Sequence, residues 1–253
     1  MESIKPFICE EIIKLPFTML MLGKSGSGKT EQLHRIIHSL RKGIKSIYLF
    51  SKTGKINREE YPYIPDDNVF DFLDLVALRK ITDNQLNLPC KKEKLPEVVI
   101  ILDDIISDPN ISSGQIRELY TMMRHLHVST IFLSQSYVQT GGLGTIIRDN
   151  THHIISFFQH NEKKRKSFVE EFLSIKDKKQ GEEIYKNVTQ TKYQSMFINC
   201  KNTSAREYHE YVFFYFIDFN KKVPKFYIGN DNSVILKSGS FLTQEDKIAH
   251  YLL

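Results

Sequence analysis

A glycine-rich loop lies between an apolar run and a helical pattern near the start of the chain. The apolar run Phe17–Leu22 is followed by residues 23–30, which read G-K-S-G-S-G-K-T. Between a strand and a helix, this G-x-x-x-x-G-K-T spacing is typical of a phosphate-binding P-loop. The glycines allow successive backbone N–H groups to converge on an anion. The residues predicted to bind a nucleotide are therefore Gly23, Lys24, Ser25, Gly26, Ser27, Gly28, Lys29 and Thr30.

The last two residues of the loop carry the chemistry of the motif. Lys29 is expected to reach the β- and γ-phosphates of ATP, and the Thr30 hydroxyl to ligate Mg²⁺. A helix is predicted directly after them, because apolar residues recur at helical spacing at Leu33, Ile36, Ile37 and Leu40. The positive end of that helix dipole adds to the attraction for phosphate.

A second motif pairs an apolar run with two acids. Val98–Leu102 is followed by Asp103 and Asp104, the Walker B pattern of a buried strand that delivers a carboxylate at its end. Asp103 is predicted to hold Mg²⁺, and Asp104 to polarise the attacking water as a general base. The alternative is an ordinary strand end with polar residues. The position of the pair downstream of a P-loop favours the catalytic interpretation.

A third candidate follows the apolar run Ser129–Leu133. If this strand lies beside the Walker B strand, Gln135 can hydrogen-bond both the γ-phosphate and the attacking water. The alternative is a strand-end amide that bonds to backbone. With Lys29 and Asp104, Gln135 completes the catalytic set predicted from the residues themselves.

Composition limits the class of protein. The chain has 253 residues, of which 41% are hydrophobic, and a formal charge of +5. That size suits one α/β domain with an elaboration, and the mild positive charge is compatible with nucleic acid. Three scattered cysteines indicate reduced thiols in an intracellular protein rather than a disulfide frame or a zinc site. No apolar run is long enough to span a bilayer, so we expect no membrane span.

The character of the chain changes near residue 160. We predict a P-loop ATPase core over residues 1–160 and a C-terminal extension over residues 161–253, packed on the core. The extension begins with a predicted helix, Glu162–Leu173, which contains the basic run Lys163–Lys166. That run is interpreted either as a solvated helix face or as a contact for DNA phosphates. Strands are predicted at Tyr193–Cys200, Tyr211–Phe219, Phe226–Gly229 and Val234–Leu236, and a last helix at Thr243–Leu253.

Other elements of the core are predicted from periodicity and turn residues. They are a short helix at Val69–Leu78, a polar connector at Thr82–Pro96, a helix at Ser113–Leu126, a flexible loop at Thr140–Gly144 and a strand at His153–Phe158.

Taken in order, these motifs resemble a known family. After the P-loop and the acid pair come Met123–Leu126, Ser129–Tyr137 and Ile147–Asn150, the last followed by His153–Ile155. Over about residues 10–160 this series is similar to the DNA-packaging ATPases of large double-stranded DNA viruses and their virophages. These form the poxvirus-type branch of the FtsK/HerA superfamily.

The resemblance implies a fold, an activity and partners. The implied fold is an α/β, RecA-like (ASCE) P-loop NTPase with a mainly parallel central sheet between helices, here with a C-terminal β-rich extension. The implied activity is ATP hydrolysis by a homo-oligomeric ring of five or six subunits, which pumps double-stranded DNA into a preformed capsid. Capsid or portal-vertex proteins are implied partners. The implied location is the host cytoplasm or a viral factory, with association with the virion.

The resemblance also suggests an arginine finger, offered to the ATP of the neighbouring subunit. Arg124 is the first candidate and Arg148 the second. One departure is Asp104, where many members of the wider superfamily carry Glu.

Two alternative functions stay open. One is a P-loop nucleotide kinase, although Gln135 and an arginine-free Gly141–Gly144 loop are not what a kinase needs. The other is a nucleotide-switched assembly protein with little turnover, for which the shorter Asp104 leaves room.

Overall fold

A computed structural model describes residues 3–87, 96–105, 107–135, 145–173 and 175–229. Several predicted features lie outside the described residues: the Thr140–Gly144 loop, the Val234–Leu236 strand and the Thr243–Leu253 helix.

The described residues form a single nine-stranded sheet. In sequence order its strands are β1 (Lys5–Pro6), β2 (Thr18–Leu22), β3 (Ile44–Ser51), β4 (Val69–Phe70), β5 (Glu97–Asp103), β6 (Val128–Ser134), β7 (His153–Phe157), β8 (Gln194–Asn199) and β9 (Val212–Phe216). Their spatial order is β1-β9-β8-β7-β2-β6-β5-β3-β4. Among these strands only β8 runs antiparallel to its neighbours. The strand that precedes the P-loop, β2, is therefore at the centre of a mainly parallel sheet.

Helices cover both faces of the sheet. They are α1 (Cys9–Ile12), α2 (Lys29–Leu40), α3 (Leu75–Leu86), α4 (Gly114–Thr121), α5 (Met123–Leu126), α6 (Thr145–Asp149), α7 (Glu162–Phe172) and α8 (Lys178–Thr189). Strands β2 and β5 are buried on both faces, which explains why they lack polar alternation. In β2, Leu20 and Leu22 join the core under α3, α4, α7 and α8. Met19 and Met21 join the core under α1 and α2.

The predicted P-loop helix is confirmed as α2. Leu33, Ile36 and Ile37 are buried along one face, and Leu40 is partly buried. The helix ends at Leu40, the last residue of the predicted apolar series, and a 3₁₀ turn follows at Arg41–Gly43.

The prediction of a helix at Val69–Leu78 was wrong at its start. Val69–Phe70 pairs with β3 as the edge strand β4. The helix α3 begins only at Leu75, because the Asp74 carboxylate accepts hydrogen bonds from the backbone N–H groups of Val76 and Ala77. It then continues to Leu86, through residues predicted as a connector. The Gln85 amide anchors its last turn by donating to the carbonyls of Pro96 and Leu126.

Two further elements differ from prediction. The helix predicted at Ser113–Leu126 is divided at Met122 into α4 and α5. The strand predicted at Phe226–Gly229 is irregular backbone. Phe226 stacks on Tyr63, with ring centroids 5.0 Å apart, and the Ile228 N–H donates to the Tyr63 carbonyl. Aromatic packing therefore replaces strand pairing in this segment.

The C-terminal part of the described chain continues the same sheet. Strand β8 pairs with β7, and β9 pairs with β8, close to the positions predicted for these strands. The division near residue 160 stays a prediction, but the first strand beyond it, β8, is hydrogen-bonded to the core strand β7, and β9 to β8.

The described helices are too short or too polar to cross a bilayer.

Candidate functional site

Parallel pairing brings the carboxyl ends of four strands, β2, β6, β5 and β3, together at one edge of the sheet. Leu22 of β2 lies opposite Ser134 of β6, and Leu133 of β6 opposite Asp103 of β5. On the other side of β5, Asp103 lies opposite Ser51 of β3. The P-loop, Gln135, the two acids and the loop after β3 therefore leave the sheet side by side. This edge is where α/β proteins of this kind bind ligands.

The backbone of the P-loop has the conformation that its glycines were predicted to allow. Gly26 and Gly28 have φ of +72° and +107°, values that residues with a β-carbon rarely adopt. Gly28 is also the N-cap of α2 and makes no side-chain cap, so it leaves the N–H groups of the first helical turn to an anion. The Gly23 N–H donates to the Ser134 carbonyl at 3.1 Å, which fixes the loop to the end of β6.

Lys29 lies over the loop that it is predicted to serve. Its ammonium donates to the carbonyls of Gly23 at 2.6 Å and Lys24 at 3.0 Å. Burial lowers the pKa of Lys29, whereas the charges of Asp103 and Asp104 raise it. Both Walker B acids therefore favour the charged form of Lys29, which is the form that binds phosphate oxygens.

Asp103 is held by a tyrosine that sequence analysis missed. The Tyr61 hydroxyl donates to Oδ2 of Asp103 at 2.7 Å, and Tyr61 is only 1% exposed. Burial raises the pKa of Asp103, while the bond from Tyr61 and the charge of Lys29 lower it. Burial and Asp103 raise the pKa of Tyr61, and a hydrogen bond with Thr30 lowers it. Thr30, Tyr61 and Asp103 therefore bring a set of oxygen atoms to this edge of the sheet.

This set fits the predicted metal. Mg²⁺ prefers hard oxygen ligands and is usually bound by one or two side chains together with phosphate oxygens. The Thr30 hydroxyl and the Asp103 carboxylate are of that type, and the Asp103 carboxylate is positioned by the Tyr61 hydroxyl. Elsewhere in the described chain, no three His, Cys, Asp or Glu side chains group as metal ligands.

Asp104 and Gln135 are exposed at the same edge. Asp104 has φ of +52°, and its N–H donates to the Leu133 carbonyl at 3.4 Å. Left-handed backbone at a non-glycine residue is strained and is common at functional sites. Gln135 directly follows the Leu22–Ser134 pair, so its backbone lies between the P-loop and the acids. The structure thus brings Lys29, Thr30, Asp103, Asp104 and Gln135 to one edge.

The two candidate arginines lie at the other edge. Arg124 belongs to α5, which directly precedes β6. Strand β6 has 7 residues and strands rise about 3.3 Å per residue, so about 20 Å of strand separates α5 from this subunit's P-loop edge. Arg148 belongs to α6, which leads into the start of β7, and it pairs with Glu171 at 3.2 Å. Both residues therefore belong to the end of the strands opposite the P-loop.

The predicted basic helix, α7, is partly neutralised. Lys166 pairs with Glu162 and Lys178 with Glu170, each at 2.7 Å. Arg165 is buried, and its guanidinium donates to the Gln159 carbonyl. A contact with DNA through this helix stays a prediction.

Sequence reasoning also missed how the end of the described chain supports the site. Arg35 of α2 donates to the carbonyls of Asp218 and Lys221. Phe226 and His34 stack on Tyr63, the neighbour of Tyr61, with centroids 5.0 and 5.1 Å from the Tyr63 ring. Residues 217–229 thus contact both the P-loop helix and the loop that carries Tyr61. The local sequence gives no signal of these contacts, because they join segments far apart in the chain.

Comparison with solved structures confirms the predicted fold class. The genome packaging NTPase B204 from Sulfolobus turreted icosahedral virus 2, in complex with ATP-gammaS, has a TM-score of 0.55 at 15% identity. The match covers 75% of this chain and 94% of B204. The monomer form of the pCW3 conjugation coupling protein TcpA with ATPgS has a TM-score of 0.52 at 15% identity, covering 75% and 58%. At this identity the similarity shows the fold alone: a mainly parallel, RecA-like P-loop NTPase sheet between helices.

Sequence comparison finds closer relatives. The DNA packaging protein OPG160 of variola virus is 28% identical over 159 residues, which are 60% of this chain and 57% of that protein. The protein of the same name from monkeypox virus is 28% identical over 159 residues and is covered over 51% of its length. The chain thus spans about half the length of the curated relatives it matches.

The family described as Poxvirus A32 protein matches residues 4–198. The match includes the P-loop, both Walker B acids, Gln135 and both candidate arginines, and it extends through β8. This chain belongs to the poxvirus A32 protein family.

Proposed function

We propose that this protein is an ATP-hydrolysing motor that translocates double-stranded viral DNA into a preformed capsid. The observation that carries the proposal is the meeting of Lys29, Thr30 and Asp103 at one edge of a P-loop NTPase sheet. It is supported by the names of the relatives, which are DNA packaging proteins, and by B204, a genome packaging NTPase in complex with ATP-gammaS.

The residues divide the work of hydrolysis. The P-loop N–H groups and Lys29 hold the phosphates and stabilise the charge that develops on the γ-phosphate oxygens. Thr30 and Asp103 would hold Mg²⁺, which would neutralise negative charge on the phosphates. Asp104 takes a proton from the attacking water, and Gln135 orients that water. Asp104 is exposed at the edge and Gln135 lies beside it, so both can face a nucleotide above the sheet.

We further propose that the site is completed by a neighbouring subunit. Arg124 belongs to the opposite edge of the sheet from the P-loop, so it can reach a nucleotide only in another subunit. A ring of five or six subunits, closed around duplex DNA and docked on capsid or portal-vertex proteins, provides that neighbour. Arg148, which is paired with Glu171, is the second candidate. Such a motor acts inside the infected cell, where viral genomes enter capsids.

The first test separates nucleotide binding from chemistry. Lys29→Ala is expected to weaken ATP binding by about tenfold or more, because hydrogen bonds to charged groups are worth about 1.5–3 kcal/mol.

Asp104→Asn is expected to keep ATP affinity and to lower the single-turnover rate by about a hundredfold or more, because it removes the general base. Equilibrium binding and single-turnover hydrolysis measure the two effects. An unchanged rate in Asp104→Asn would favour a switch with little turnover, and phosphate transfer to a nucleoside monophosphate would favour a kinase.

The second test concerns Arg124. Arg124→Ala is expected to lower the hydrolysis rate about a thousandfold or more, the usual effect of losing an arginine finger. Mixed rings with Asp104→Asn subunits should recover activity, because each Asp104→Asn subunit offers an intact Arg124 to a neighbour with an intact base. Arg148→Ala in the same mixing experiment is the matched control. Recovery with Arg148→Ala but not with Arg124→Ala would assign the trans role to Arg148.

The third test concerns the support of Asp103. Tyr61→Phe removes the hydroxyl that donates to Asp103 Oδ2. The Mg²⁺ concentration that gives half-maximal hydrolysis is expected to rise about tenfold, because partners of metal ligands typically contribute 10–100-fold to metal affinity. ATP binding in the presence of a chelator should not change.

Tyr63→Phe is the matched control for Tyr61→Phe. Tyr63 is equally buried, but its hydroxyl has no hydrogen-bond partner within the described part of the chain. Equal shifts in the two variants, or no shift in Tyr61→Phe, would contradict a role for Tyr61 in positioning Asp103.

A further inference from the structure

A cavity of about 330 Å³ lies beside the P-loop, away from the Walker B acids. One wall is the outer part of the loop, Lys24–Ser27. The second wall follows β7 and consists of Phe157, Phe158 and His160. The third is Thr189–Gln194, the turn between α8 and β8. Its volume is at the lower end of the range for small-molecule sites.

The strand order determines which part of a nucleotide can face this cavity. Asp103 ends β5, which lies beyond β6 on one side of β2, whereas β7 and β8 lie on the other side. A terminal phosphate near Lys29, Thr30 and Asp103 is therefore on the β6 side of the P-loop. The remainder of the nucleotide must leave the loop in another direction, and the cavity opens on the β7 side.

The walls offer aromatic rings and polar groups together. Phe158 is half-buried and has an edge-to-face contact with His160 at 5.0 Å between centroids. A β-carbon at Gly28 would lie 3.5 Å from the Tyr193 ring, and the Lys192 ammonium lies 4.8 Å from the centroid of that ring. Gln190 and Thr191 are exposed in the turn. Rings for stacking and side chains for hydrogen bonds suit a base attached to a ribose.

The turn that forms the third wall is held in place. Its Tyr193 has φ of +64°, and the Tyr193 carbonyl accepts a hydrogen bond from the Ile217 N–H at 3.1 Å. The Gln194 amide donates to the Val188 carbonyl at 2.7 Å. The Tyr185 hydroxyl donates to the Phe157 carbonyl at 2.8 Å, which links the second and third walls. The cavity is therefore built before any ligand arrives, which lowers the cost of binding.

We propose that this cavity binds the nucleoside half, base and ribose, of the nucleotide whose phosphates the P-loop holds. The proposal rests on the proposed function, because it assumes a nucleoside triphosphate at the P-loop. It gives residues after 160 a direct part in the nucleotide site: the α8–β8 turn forms a wall, and Ile217 supports that turn.

The test uses the absence of tryptophan from the chain. His160→Trp places a sole tryptophan at an exposed position in the cavity wall. In the full-length protein, ATP with Mg²⁺ is expected to change the tryptophan emission, because a stacked base alters its surroundings. Inorganic tripolyphosphate with Mg²⁺, which lacks base and ribose, should bind without that change. Phe72→Trp is the matched control and should respond to neither ligand, because Phe72 is 53% exposed and directly follows β4, the outermost strand on the opposite side of β2 from the cavity.

A second variant measures affinity. Gln190→Trp adds bulk to an exposed position in the turn, and this bulk is expected to displace the base from one of the rings in the cavity wall. ATP binding should weaken about tenfold, the effect of losing one base-stacking contact. Tripolyphosphate binding should stay unchanged.

Two outcomes would overturn the nucleoside site while leaving the P-loop intact. One is an equal loss of ATP and tripolyphosphate affinity in Gln190→Trp, or no loss of either. The other is emission in His160→Trp that does not respond to ATP although calorimetry shows ATP binding. Failure of the wild-type protein to bind either ligand would instead overturn the proposed function itself.

Discussion

The parallel register of β2, β6, β5 and β3 is the constraint on which the candidate site depends. Because these strands run in the same direction and are aligned, Leu22, Ser134, Asp103 and Ser51 end at one edge. No single segment contains the site. A slip of one residue in β5 would turn Asp103 to the opposite face of the sheet. The buried apolar runs on both faces of β2 and β5 hold that register, so the core that stabilises the fold also sets the positions of the polar groups at its edge.

Asp103 shows how a polar group is maintained there. Burial raises the pKa of this acid and so disfavours the charged form that a metal ion needs. Tyr61 and Lys29 act against burial by lowering the pKa of Asp103, one by a hydrogen bond and the other by its charge. Tyr61 is in turn placed by its loop, in which Tyr63 packs with Phe226 and His34. The acid, the P-loop helix and residues 217–229 are therefore joined by one series of side-chain contacts.

Local patterns were enough to predict the residues whose chemistry is tied to short motifs. The P-loop, α2, β5 with Asp103, and β6 with Gln135 were predicted from spacing and apolar periodicity, and the structure has these elements at the predicted places. The N-terminal part of α3 was mispredicted because β4 and the Asp74 cap depend on pairing with β3 and on the geometry of one side chain. Tyr61, Tyr193 and Ile217 were not predicted as site residues. Their contacts join segments separated by tens of residues, and no period in the sequence reports such contacts.

The central claim is that nucleotide chemistry at this edge is coupled to duplex DNA. The most direct measurement is the steady-state rate of ATP hydrolysis by the assembled wild-type protein, with and without double-stranded DNA, at constant salt. Constant salt matters because electrostatic DNA binding weakens steeply as the salt concentration rises. We expect a low rate without DNA and a rate several times higher with it. An equal rate under the two conditions, in protein shown to be assembled and bound to DNA, would contradict it.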